Sequence, residues 1–158
     1  MRVRVLPGMP MESGNKVANL LKLMKMLEMR LSNRNKTSHI DFIGSTTDAP
    51  IYHTERLMIF LEMSLSEFNS VPFFTCYSFE DSDFIEQFAT ILVEGATIQA
   101  LGSQALLEKG REFITSDSGI SYDPPAVSDL LNSQYEQMYI AHWEKLKYIK
   151  LHIREFDK

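Results

Sequence analysis

Asp81-Ser-Asp-Phe-Ile-Glu-Gln-Phe-Ala-Thr-Ile-Leu-Val-Glu-Gly-Ala-Thr-Ile-Gln-Ala-Leu-Gly-Ser-Gln-Ala-Leu-Leu-Glu-Lys-Gly110 is the stretch on which the fold turns. It begins with acids and capping residues suited to a helix N-terminus and ends on Lys109-Gly110, a basic last turn with a glycine stop. Phe84, Phe88, Ile91, Leu92, Ile98 and Leu106 supply bulk, whereas Ala89, Gly95, Ala96, Ala100, Gly102, Ser103 and Ala105 supply unusually small side chains. A glycine inside a helix costs about 1 kcal/mol relative to alanine. Gly95 and Gly102 lie one heptad apart on one face. Close approach of another helix, from this chain or from a neighbouring copy, is the compensation to expect. Gly95, Gly102 and Ser103 are therefore the candidate positions for inter-subunit helix packing.

Downstream, Arg111-Glu-Phe-Ile-Thr, Asp117-Ser-Gly119 and Ile120-Ser-Tyr read as a short β-hairpin or β-like loop. Asp123-Pro124-Pro125 then opens a last helix, with proline in the first turn where its missing N–H does least harm. Leu131, Tyr135, Met138, His142, Leu146, Ile149, Ile153 and Phe156 step by three or four along it. These two helices, about 81–110 and 125–155, predict a long antiparallel αα-hairpin. They are long for a compact globule of 158 residues and favour a lever or a ring subunit.

Upstream, a helix is expected from Thr54 to Asn69, with Thr54 as N-cap and Leu57, Leu61, Leu65 and Phe68 on its apolar stripe. Val71-Pro72 ends it, and Phe73-Phe-Thr-Cys-Tyr-Ser-Phe79 reads as a strand or an extended packing segment. Residues 36–52 form a loop by composition. Val17, Leu20, Met24, Leu27 and Leu31 recur at helical spacing over 15–31, and residues 1–14 read as an irregular arm. The chain thus reads as mainly α, with an N-terminal arm and basic amphipathic helix over 1–50 and a helical domain over 51–158.

The net charge of −5 conceals segregation. Residues 1–36 carry eight Lys/Arg against two acids, residues 37–108 carry eleven acids against Arg56, and the C-terminal stretch turns basic again. Opposite blocks attract within a chain or between copies and suppress wrong dockings; solvated faces with no partner are the plainer explanation. Lys16, Lys22, Lys25 and Arg30 on the first helix are the candidate partner-docking residues. That helix lacks aromatic residues and the body of the chain is acidic, which ranks nucleic-acid and membrane contact below a protein partner. Met24, Met26 and Met29 suit an adaptable interface. No secretory signal and no bilayer-length apolar run is expected.

Motifs that carry chemistry are missing from the sequence. It has no phosphate-cradling glycine loop, no dinucleotide fingerprint, no His-Glu-x-x-His, and no Glu followed three residues later by His. One cysteine builds neither a disulfide nor a thiolate zinc site. Cys76 is a nucleophile only if His39, His53, His142 or His152 stands beside it; among Phe74, Tyr77 and Phe79 it reads as a small core residue. His142, on the apolar stripe, reads as a core or interface histidine. Asp41, Asp48, Asp81 and Asp83 read as caps and turn residues. The expectation is a non-enzymatic chain without cofactor or metal.

The run from Val93 to Lys150 resembles the neck proteins of tailed bacteriophages. The resemblance is carried by the small-residue helix ending in Leu107-Glu-Lys-Gly-Arg-Glu-Phe113, by the Asp117-Ser-Gly-Ile-Ser121 turn, and by Pro124-Pro125 opening a long amphipathic helix. It covers a little over a third of the chain, or about two-thirds with the Leu57–Pro72 helix. It implies a head-to-tail connector, or adaptor, in the virion neck, assembled in the host cytoplasm. Such proteins form a ring, commonly of about twelve copies, that binds the portal and the next neck or tail component. The ring extends the channel through which DNA passes without sequence-specific binding. Docking through the basic helix would follow, although residues 1–50 lie outside the resembling part. The alternative is a helical, non-enzymatic adaptor or regulator of cellular type that binds one protein partner.

Overall fold

The computed structural model describes residues 12–31, 37–40, 46–49, 52–115 and 127–156. In chain order these form α1 (Glu12–Arg30), β1 (Thr37–Ile40), β2 (Thr46–Ala49), α2 (Thr54–Ser70), α3 (Ser82–Thr115) and α4 (Val127–Phe156). The chain is mainly helical, as the periodicity requires.

Helix α3 is the hub against which α1, α2 and α4 all pack. Its bulky residues do this work: Phe84, Ile85, Ile91, Leu92 and Ile98 are buried, and Ala89, Ala96 and Ala100 between them let the neighbours close in. Leu23 and Leu27 from α1, Leu57, Leu61 and Phe68 from α2, and Leu146 from α4 complete the core. Each such side chain contributes about 1.5–3 kcal/mol on full burial. Phe68 touches Phe84 edge-on at a centroid distance of 5.1 Å, and Phe84 stacks on Tyr77 at 4.3 Å. Contacts between α3 and α4 run in reverse order: Glu94 pairs with Lys145, Gly95 faces His142, and Gly102 faces Tyr135.

The segment between α2 and α3 is extended, with no strand partner, and contains a cis Val71–Pro72 bond. Asn69 pins it: its Nδ2 donates to the Tyr77 carbonyl at 2.8 Å, and its Oδ1 accepts from Tyr77 N and Thr75 Oγ1. From the other side, Lys150 donates to the carbonyls of Phe68 and Phe73 at 2.7 and 2.5 Å and to Thr75 Oγ1 at 3.2 Å. The Phe68 carbonyl is one of the acceptors left over at the end of α2, and the Phe73 and Tyr77 groups belong to a segment without a ladder of its own, so these side chains supply partners that regular structure does not.

Several expectations need correction. Arg111–Thr115 is not part of a β-hairpin but the last five residues of α3. Gly110 has no left-handed φ and lies inside α3, which runs on to Thr115, so it does not cap the helix. The remainder of the expected hairpin and the Pro124-Pro125 start of α4 lie outside the described residues. Residues 36–52 are not wholly loop. Thr37–Ile40 pairs antiparallel with Thr46–Ala49, from Thr37 opposite Ala49 to Ile40 opposite Thr46, as β-branched residues favour. Thr54 does not cap α2: it is the first helical residue, and the His53 carbonyl accepts from Arg56 and Leu57. Val17, assigned to the apolar stripe of α1, and Leu106, counted among the bulky residues of α3, are both exposed.

Candidate functional site

The small-residue face of α3 is occupied by the chain's own helices. A Cβ on Gly95 would collide with the Ser64 hydroxyl of α2 and lie 3.0 Å from His142 Nε2 of α4. A Cβ on Gly102 would lie 2.9 Å from the Tyr135 ring. Close packing is thus what these glycines provide, and within the chain the neighbours are Ser64, His142 and Tyr135. Ser103 is half-buried on the same helix.

Around Gly95 stands a polar cluster that the residue pattern did not reveal. His142 is 1% exposed, and its Nδ1 lies 3.8 Å from Glu94 Oε1, too far for a hydrogen bond. Both ring nitrogens lack a hydrogen-bond partner among the described residues, as does Glu67 Oε1. Glu94 Oε2 holds Lys145 Nζ at 2.6 Å. Burial pushes the His142 pKa below its ordinary 6.5, outweighing the opposite pull of Glu67 and Glu94, so the ring is neutral at pH 7. Tyr139 is raised above 10.0 by burial first, then by the neighbouring Glu67 carboxylate.

Ser64, His142 and Glu94 invite comparison with an acyl-transfer triad, and the geometry decides against it. The Ser64 hydroxyl donates to the Leu92 carbonyl at 2.8 Å, and Ser64 is 2% exposed. A substrate carbonyl has no approach to that oxygen, and its proton is already committed to a backbone acceptor. What the arrangement does is hold α2, α3 and α4 in register.

Cys76 is exposed, not core. The extended segment alternates: Phe73, Thr75 and Tyr77 turn inward where Lys150 and Asn69 hold them, so Phe74 and Cys76 turn outward, Phe74 to 87% exposure. A shallow depression beside Cys76 is lined by Thr75, Tyr77, Asp81, Asp83 and Phe84, with no histidine among the described residues that line it. Asp81 Oδ2 accepts from Ser78 N and Oγ, a turn role as expected. No group of three or more His, Cys, Asp and Glu among the described residues is placed to share a metal ion. No described helix is long and apolar enough to cross a membrane.

The surface is where unused capacity lies. Lys16, Lys22, Lys25 and Arg30 are all exposed on α1, interspersed with exposed Val17, Leu21 and Met29. Helix α2 presents Glu55, Ile59, Glu62 and Met63 to solvent, and α4 presents Leu130, Ile140, Tyr148 and Leu151. A groove at the distal end of α3 and α4, about 260 Å³ in volume, is lined by Gly102, Ala105, Leu106, Asn132 and Tyr135, with Lys109, Ser128 and Asp129. Lys150 had a sequence signal in its position four residues after Leu146 on the apolar stripe, but the Glu67, Glu94 and Tyr139 cluster had none. Compared with known protein families, characterised proteins and solved structures, the chain finds no match.

Proposed function

We propose that this chain is a non-enzymatic structural protein that self-assembles, and specifically a head-to-tail connector ring in a tailed-phage neck. The observation that carries the reading is the length and use of α3 and α4. Their 34 and 30 residues extend about 51 and 45 Å. A compact 158-residue globule has a radius of gyration of only about 15 Å. Side chains along their shared face serve contact: small residues admit neighbours, and the polar groups between them are enclosed. Two such helices form the long antiparallel hairpin that a ring subunit needs to span a channel wall.

The resemblance over Val93–Lys150 supplies the specific role: twelve-fold ring, portal contact, platform for the next component, and passage of DNA through the lumen in the virion. Electron microscopy of the purified full chain, alone and with its portal, tests this. A closed annulus is expected in one or both samples. A molecule that stays monomeric in both defeats the ring. The mixed basic and apolar outer face of α1 favours a second reading, a helical adaptor binding one protein partner, for which a monomer or dimer is the expected state.

A further inference from the structure

We propose that the outer face of α1 docks on the outer face of α2 in a second copy of this chain, an interface that rests on the self-assembly reading above. Leu21, Lys22, Lys25 and Met29 form the exposed stripe of α1, with Leu21 and Met29 more than half exposed. Glu55, Ile59, Glu62 and Met63 form the exposed stripe of α2, with Ile59 and Met63 about half exposed. Each stripe runs over nine residues, about 12 Å of helix from first to last, and each sets two like charges among two apolar side chains. The charges are opposite, two lysines facing two glutamates. Arg56 stands at the edge of the α2 stripe.

None of these four charges forms an ion pair among the described residues. Nor can the two stripes meet within one molecule. The inner faces of α1 and α2, with Leu23, Leu27, Leu57 and Leu61, are already turned into the common core. Two unlike, mutually complementary surfaces on one subunit are the condition for a heterologous contact, which closes into a ring when the rotation permits. Burial of Leu21, Met29, Ile59 and Met63 supplies adhesion. The charges set orientation and exclude α1 against α1 and α2 against α2, where lysine would meet lysine and glutamate would meet glutamate.

The test uses two full-length variants, Lys22→Glu/Lys25→Glu and Glu55→Lys/Glu62→Lys, with circular dichroism to establish folding and light scattering after gel filtration to measure mass. Each variant alone carries like charges on both faces and is expected to self-associate roughly 100-fold more weakly than the wild type. Mixed in equal amounts they present opposite faces again, and assembly should return. Restoration in the mixture is the decisive result, because misfolded variants do not rescue each other. Undiminished assembly of both variants, or no recovery on mixing, overturns the interface. If the wild type forms a ring that the variants also form, the interface fails while the ring reading stands. If the wild type forms only a dimer with the expected charge dependence, the ring fails and the interface stands. A wild type that stays monomeric at 100-fold higher concentration than needed for detection overturns this proposal.

Discussion

Lys150 Nζ on α4 donates to the Phe68 carbonyl in the last turn of α2 at 2.7 Å, an ammonium tying the final helix to the end of the second. The cation is 1% exposed and its other partners are also neutral oxygens, Phe73 O and Thr75 Oγ1. The rings of Phe68 and Phe73 lie 5.5 and 4.7 Å from it. Burial lowers its pKa below 10.5, and among the described residues no carboxylate is paired with it. Lys150→Met keeps the apolar stem and strands three acceptors. It should cost about 3 kcal/mol of stability in urea unfolding. A loss below about 0.5 kcal/mol would show that water substitutes for the ammonium.

The three described interior glycines of α3 make a matched series under substitution by alanine. Gly110 has open space around it, so Gly110→Ala should stabilise by about 0.5–1 kcal/mol through helix propensity alone. Gly95→Ala places a methyl on the Ser64 hydroxyl and should destabilise by about 1–3 kcal/mol despite that gain. Gly102→Ala meets the edge of the Tyr135 ring, which can turn, and should fall between the two. Thermal melts of the three variants rank them; the same rank order reversed would remove the close-packing account.

Adding Ser64→Ala to Gly95→Ala removes the hydroxyl that the new methyl meets most closely. The pair should therefore couple by more than 0.5 kcal/mol in a double-mutant cycle. Strict additivity would place the strain elsewhere.

His142 sets a pH dependence whose sign follows from its lowered pKa. Between its folded pKa and 6.5 the unfolded chain holds a proton on this ring that the folded chain does not. Stability therefore rises with pH through that window, is complete above 6.5, and is lost progressively as the solution is acidified below it. His142→Gln should flatten the part of the slope that lies just below pH 6.5. Denaturant titrations of both proteins between pH 5 and 8 measure it, and parallel curves would exclude the ring as the source.

Cys76 is solvent-facing, so a disulfide reagent should modify one thiol in the native chain at a rate within about tenfold of the unfolded chain. Cys76→Ser should leave helix content and assembly unchanged. Strong protection of the thiol in the native state would contradict the outward alternation of the 73–77 segment.

Helical character, the approximate bounds of α1, α2 and α4, and most of the core were legible in the sequence, because burial against one neighbouring face imposes a 3.6-residue period. Leu57, Leu61, Phe68, Leu146 and the small residues of α3 each appear where that period places them. Local pattern also showed that Gly95 and Gly102 need a close neighbour, since no other gain offsets glycine in a helix. Which neighbour it is was settled only by the tertiary structure, because complementarity between Gly95, Ser64 and His142 involves residues 31 to 78 positions apart. The same holds for Lys150 and for the exposure of Cys76. Composition makes both look anomalous, one a charge on an apolar stripe and the other a thiol among aromatics. Their environments follow from which carbonyls the extended segment turns inward, and that is a property of the assembled helices.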